Sequence, residues 1–233
     1  MSEATYQRRR GELKTYFDAT ALKAWTAMTS DAPLSKIRAT VRMGRDRMRA
    51  ILLSYLPQNL IGRRVLAAGC GPGQLSWEAA ARGADVLGVD LSPKLIALAE
   101  ERRPKTDNSA RVRFASGDML DPQHGVFDHV VAMDSLIHYG LEDLVGALAA
   151  LTPRARRSIV FTLAPRTPAL SVMHAVGSVF PRADRAPAIR PVRLKALIRV
   201  IERSPDFAGW SVERTERVQA GFYTSQAVEL ARQ

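Results

Sequence analysis

The sequence predicts an α/β fold, a doubly wound, Rossmann-like sheet with helices before it and a helical insertion ahead of its last two strands. Three observations carry that prediction. Short apolar strands alternate with helices from residue 64 to residue 164, the pattern of a parallel sheet covered on both faces. A glycine-rich stretch, "VLAAGCGPGQLS", stands at the first strand-to-helix turn. An acidic residue, Asp90, closes the second strand, where a ribose acceptor sits in such sheets.

In chain order, residues 5–56 read as helices, with Phe17, Leu22, Trp25 and Met28 at helical spacing, then Ile37, Val41, Met48, Ile51, Leu52 and Tyr55. Pro33 separates the two runs, and Pro57 with Asn59 marks a turn. The core alternation then begins. Strands are predicted over 64–69, 84–90, 112–118, 127–134 and 157–164, and helices over 73–83, 92–103 and 141–152. Ser92 is the expected N-cap of its helix, with Pro93 in the first turn. The segment 165–200 is too long for a simple crossover and predicts helices over 169–180 and 191–204. Residues 210–221 and 222–232 predict an antiparallel hairpin on the sheet edge. The domain division expected is a helical lid over 1–56 and a catalytic domain over 57–233, with 165–204 as a substrate-binding insertion.

A chain of 233 residues, 46% hydrophobic and 24% charged, is long and apolar enough for one sizeable core. A single cysteine excludes an internal disulfide and suits a reducing compartment. The first residues are polar, with no apolar signal core, and no apolar run reaches the length of a bilayer span. A cytoplasmic location is expected, with membrane contact peripheral at most. The net charge of +11 is uneven: residues 1–50 carry +6 and residues 151–200 carry +9, so the rest is net acidic. Two basic regions imply an anionic partner, whether nucleic acid, an anionic membrane face or a small polyacid; solubility charge is the bland alternative.

Gly69, Gly71 and Gly73 allow the sharp turn and close ligand approach of a nucleotide-type site, beside the N–H groups of the next helix. The loop lacks the lysine and Ser/Thr of a phosphate-binding P-loop, and residue 74 is Gln where the dinucleotide fingerprint has Gly. With Asp90 and then "SGDM" after the third strand, the series closely resembles the class I methyltransferases that use S-adenosylmethionine. That resemblance implies a cofactor site of Gly69, Cys70, Gly71, Gly73, Asp90, Leu91, Asp118, Met119 and Asp134. The glycines would lie along the methionine part, Asp90 would hold the ribose, and Asp118 would face adenine. Cys70 reads as a small packing residue and not as a nucleophile.

The core does not fix the acceptor. Aromatic residues are 6% of the chain and no RNA-binding module is recognisable, which argues against nucleic acid. Outside the core, "TYFDATALKAW", "DSLIHYG", "FTLAPRTPALSVMHAVGSVFP" and "RVQAGFYTSQAVELAR" resemble the magnesium protoporphyrin IX methyltransferases of (bacterio)chlorophyll synthesis, over nearly the whole chain. The resemblance implies methyl transfer to the ring C propionate carboxylate, giving the 13-monomethyl ester. It implies no metal cofactor, since magnesium belongs to the substrate, and a contact with the magnesium chelatase porphyrin-binding subunit. It places Tyr16, Trp25, Arg166, Met173, His174, Phe180 and Arg190 on the porphyrin, and His138 and Tyr139 at the reacting centre. The family's lid tyrosine is replaced by Thr29, so any role of that phenol is either absent or taken by Tyr16 or Tyr139. Alternatives are a methyltransferase of another small anionic acceptor and a basic RNA- or membrane-binding protein with a methyltransferase fold.

The residues bear on this independently. A planar macrocycle with two propionates needs apolar walls and cationic anchors, and 165–200 offers Met173, Val176 and Phe180 beside several arginines. A propionate has a pKa of about 4.3 and is ionised at neutral pH, so no general base is required. His138 is therefore expected to position the acceptor; capping the helix near Leu141 is its structural alternative. Magnesium ligation by His138 or His174 is disfavoured, because Mg²⁺ prefers oxygen donors.

Overall fold

The computed structural model describes residues 3–16, 36–166 and 188–233. Helices α1 (Glu3–Tyr16) and α2 (Lys36–Ser54) precede a sheet whose parallel strands are β1 (Arg64–Ala68), β2 (Asp85–Asp90), β3 (Val112–Ser116), β4 (Phe127–Ala132) and β5 (Ala155–Leu163). Helices α3 (Gln74–Ala81), α4 (Pro93–Glu101) and α5 (Leu141–Leu151) connect them. After β5 come α6 (Leu194–Arg203) and the hairpin of β6 (Trp210–Ala220) and β7 (Tyr223–Arg232). The strand order is β3-β2-β1-β4-β5-β7-β6, and β7 inserts antiparallel between β5 and β6.

Period-two alternation divides each central strand between two cores, because successive side chains leave a strand on opposite faces. Leu66 and Ala68 of β1, Val130 and Ala132 of β4, and Ile159 and Phe161 of β5 pack with Leu144 and Leu148 of α5 and Leu197 and Ile201 of α6. Val65, Ala67, Val131 and Val160 face the other side, against Met48 and Leu52 of α2 and Leu75 and Ala79 of α3. β4 is buried at every position, as a strand covered on both faces must be. The Ser92 hydroxyl accepts the Leu95 N–H and Pro93 opens α4, as the sequence predicts.

The strands end earlier than their apolar patterns suggest. Residues 69, 117–118 and 133–134 leave the ladder at the C-terminal edge, where the backbone turns to build a cavity. Within the expected lid over 1–56, Met48 and Leu52 of α2 are fully buried against the sheet, while Tyr6 and Leu13 of α1 and Arg45 and Arg49 of α2 line the cavity. Likewise α6, expected within the insertion 165–204, packs on α5 through Leu197 and Ile201. The expected helices around Trp25 and over 169–180 lie outside the described residues.

Candidate active site

The cavity opens at the C-terminal ends of β1, β2 and β4, and its walls divide into two sides. On the first, the Gly69 and Cys70 N–H groups both donate to Val89 O, at 2.8 and 3.0 Å, which folds the loop against β2. Gly69 has φ +71°, and a Cβ there would stand 2.3 Å from Cβ of Ser135, so no side chain fits. Asp90 is held at both oxygens: the Gly71 N–H donates to Oδ2 at 2.8 Å and the Ser92 N–H to Oδ1 at 2.9 Å. A carboxylate has about four acceptor positions, so two backbone bonds fix its direction and leave it able to accept hydroxyls. Leu75, Leu91, Leu95 and Met119 supply apolar wall around it. A Cβ at Gly71 would meet nothing within 4 Å. An oriented carboxylate, an open glycine backbone and an apolar slot fit a nucleoside that carries an amino-acid arm. Cys70 lines the same wall, its thiol pushed well up by burial and secondarily by Asp90, so it stays protonated and unreactive. Gly73 does not line the cavity; it starts α3 from a left-handed conformation and faces Phe114.

Asp118 is engaged from α1. The Tyr6 hydroxyl donates to its Oδ1, Arg10 Nη1 reaches Oδ2 at 2.9 Å, and the Leu120 N–H adds a further bond. Tyr6 is buried, stacks on Tyr139 with ring centroids 6.0 Å apart, and lines the cavity with Leu13. Burial, then Tyr139 and Asp118, holds its phenol above the usual tyrosine range, so it remains a donor. Sequence reading missed Tyr6 and Leu13; their i, i+7 spacing on an otherwise polar helix was the available signal.

The second side forms where β4 ends. Asp134 is the one non-glycine residue with positive φ, +53°, among those described. Such a backbone persists only when its surroundings hold it, and here three distant elements do. Arg45 Nη1 of α2 lies 2.7 Å from Oδ2, the Tyr223 hydroxyl of β7 donates to Oδ1 at 3.2 Å, and the Asp134 N–H donates to Thr162 Oγ1 of β5 at 2.7 Å. The adjoining turn Leu136–His138 brings His138 and Tyr139, both buried, to the cavity wall. The N-cap of α5 is Gly140, which has no side chain to bond the first turn.

Other expected contacts fall elsewhere. Arg166 and Arg190 are exposed and do not line the cavity; the Arg166 N–H donates to Val192 O at 3.3 Å, and the Arg190 N–H donates to Ile137 O at 2.9 Å, next to His138. Composition revealed their charge but not their direction. The cations on the cavity wall are instead Arg45 and Arg49, the latter bound to Glu78 and Asp46. Of the two phenols offered in place of Thr29, Tyr139 is in the cavity and Tyr16, half-buried at the end of α1, is not. Trp25, Thr29, Met173, His174 and Phe180 lie outside the described residues. No cluster of three or more potential metal ligands occurs among the described residues.

Residues 132–232 match the family described as magnesium-protoporphyrin IX methyltransferase C-terminus, and residues 65–156 match a methyltransferase domain. The chain is 46% identical to a magnesium-protoporphyrin O-methyltransferase of Rhodobacter capsulatus, across 96% of this chain and 97% of that one. It is 26% identical to the Synechocystis protein of the same name, across 94% and 95%. A crystal structure of magnesium protoporphyrin IX methyltransferase from Synechocystis with bound SAH superposes with a TM-score of 0.80 at 27% identity, covering 96% of this chain and all of that one.

Proposed function

The chain belongs to the magnesium-protoporphyrin O-methyltransferase family, and we propose on that premise that it transfers a methyl group from S-adenosyl-L-methionine to a propionate carboxylate of magnesium protoporphyrin IX, giving the 13-monomethyl ester in (bacterio)chlorophyll biosynthesis. The near full-length match to the Rhodobacter capsulatus protein carries this reading. S-adenosylmethionine, when bound, supplies an electrophilic methyl on a sulfonium. Asp90 takes the ribose hydroxyls, Gly69, Cys70 and Gly71 follow the methionine arm, and Leu91, Asp118 and Met119 border the adenine.

The ionised carboxylate is already the nucleophile, so the protein's contribution is alignment and removal of water. A carboxylate oxygen forms the new bond to the methyl carbon, the S–CH₃ electron pair stays on sulfur, and the two opposite charges vanish together. His138 and Tyr139 align the acceptor from the buried turn after β4. Helix α1 acts as the lid, closing through Tyr6 and Arg10 on Asp118. The macrocycle rests on Tyr16, Trp25, Met173, His174 and Phe180, and Arg166 and Arg190, exposed near the turn, take the outer propionate. Delivery by the chelatase porphyrin-binding subunit is what the family resemblance implies, and the basic charge and lipophilic substrate support peripheral contact with an anionic membrane. No described helix is long and apolar enough to cross a membrane.

The test is incubation with methyl-labelled S-adenosylmethionine and magnesium protoporphyrin IX. Label is expected in a base-labile porphyrin ester. Transfer to RNA instead, or no transfer to the porphyrin, overturns this reading.

A further inference from the structure

At the edge of the sheet opposite the cavity, the starts of β1, β4 and β5 and the end of β7 border a depression lined by Arg63, Asp128, Arg156, Arg157, Arg232 and Gln233. Four guanidiniums face one carboxylate there, a local net charge of +3. A strand sends consecutive side chains to opposite faces, so Arg156 and Arg157 would not ordinarily share one depression. The register accounts for it. Phe127 pairs with Ala155 and His129 with Ser158, so β5 carries one residue more than β4 over this step. A bulge of this kind re-aims side chains, and it sets Asp128 opposite both arginines.

Asp128 is buried, and its Oδ2 accepts the Arg64 N–H at 2.9 Å. Its Oδ1 lies 3.5 Å from Arg63 Nη1 and 3.7 Å from Arg157 Nε, farther than the about 2.7–2.9 Å of a charge-assisted hydrogen bond. One carboxylate is thus shared loosely by two guanidiniums. One step beyond the Ser158–Ala231 pair, the antiparallel register sets Arg157 opposite Arg232, and like charges directly across such a pair are destabilising. Arg156 and Arg232 are exposed and have no acidic partner among the described residues. The Gln233 amide donates to Glu213 Oε1 at 2.8 Å, so one carboxylate stands at the rim and the excess stays positive.

We propose that this depression is a binding site for a phosphate-bearing anion of two or more charges. Guanidinium forks match phosphate oxygens in pairs. An anion between Arg157 and Arg232 replaces their repulsion with two attractions, and Arg63 and Arg156 close on it from the flanks. The site lies at the far end of the strands from the cavity and is independent of the proposed reaction. A free diphosphate and the headgroup of an anionic phospholipid share this chemistry.

The test titrates the full chain with inorganic pyrophosphate by calorimetry at low salt, and floats it with phosphatidylcholine vesicles that contain or lack phosphatidylglycerol. Arg232→Gln is expected to weaken binding by about tenfold, the scale of a charge-assisted hydrogen bond, and R157Q/R232Q by more. Arg199→Gln, an exposed arginine of α6, should leave it unchanged. Without ligand, Arg232→Gln should melt no lower than the wild type, because it removes a repulsion; an arginine with only a structural role would lower the melting temperature. Arg156→Gln gives the same reading should Arg232→Gln not fold. Loss of pyrophosphate binding in the variants supports the site with a free phosphate as its source. Loss confined to the phosphatidylglycerol vesicles supports it with a headgroup. A wild type that binds neither, variants that bind as tightly as the wild type, or an equal loss in Arg199→Gln overturns the proposal.

Discussion

The two sides of the cavity are built on different length scales. On the cofactor side, Asp90 is held by Gly71, 19 residues away, and by Ser92, two away, all in or beside one strand–helix–strand unit. On the acceptor side, Asp134 is held by Arg45 and Tyr223, each 89 residues distant, and by Thr162 on a third element. Backbone N–H groups direct the first carboxylate and side chains direct the second. A site made of local backbone tolerates surface variation around it. A site assembled from α2, β5 and β7 depends on the packing of the whole domain, and its strained Asp134 is evidence of that dependence.

The largest effect is expected on the acceptor side. His138→Ala should lower kcat by about ten- to a thousandfold, the range over which lost orientation is felt, with folding and cofactor affinity retained. Because the acceptor carboxylate is ionised without help, raising the pH should not restore the rate. Single-turnover rates between about pH 6 and 9, with the cofactor dissociation constant, make the check. A loss that disappears at high pH would turn His138 into a base and remove the reason for treating this side as a positioning device.

Asp90→Ala probes the other side. It removes a charged acceptor whose hydrogen bond contributes roughly 1.5–3 kcal/mol, so S-adenosylmethionine should bind about tenfold more weakly or worse. The Gly71 and Ser92 N–H groups lose their partner in the same variant, so the loop loosens as well. Calorimetry reads the affinity and single-turnover kinetics at saturating cofactor reads kcat. If the two sides are separable, affinity falls while saturated kcat stays near wild type. Equal losses in both would show that the loop also orders the acceptor turn through Ser135, which packs against Gly69 and donates to Ala68 O.

This difference in scale also explains what the sequence revealed. The strand–helix alternation, the Ser92 cap, the glycine loop and Asp90 were legible because each depends on neighbours a few residues away. Tyr6 was not, since its meaning comes from Asp118, 112 residues on. Arg45 sat unremarked in a basic stretch where charge alone gives no direction. Helical spacing likewise finds the apolar face of α2 but not what covers it, and that face is covered by the sheet. Arg166 and Arg190 carry the charge expected of an anchor for the outer propionate, and both are exposed outside the cavity, a placement that charge alone does not reveal.

The smallest effect concerns β4, the strand from whose end the acceptor side hangs. His129 is buried within it, with Nδ1 2.8 Å from Ser158 Oγ, and its pKa is lowered to about 4, chiefly by burial, with Arg157 and Arg63 adding to the effect and Asp128 and Glu229 opposing it. An unfolded histidine titrates near 6.5, so as the pH falls below that value the unfolded chain takes up a proton that the native state refuses. Stability is therefore lost as the pH drops from about 6.5 to about 4, at no more than about 1.4 kcal/mol per unit, and no further below that from this group. His129→Gln removes the titration and keeps a polar side chain beside Ser158. Urea unfolding from pH 7.5 to 4 should show the wild type losing stability more steeply than the variant, with the two slopes parallel above about pH 7. The catalytic readout then sharpens the comparison. If the acceptor side depends on β4 as a scaffold, kcat in the wild type should decline with stability across this window, ahead of any loss in cofactor affinity, and the variant should hold both to lower pH. Parallel acid slopes in the two proteins would remove His129 as the cause, and a joint decline of kcat and affinity would show that the two sides share one scaffold after all.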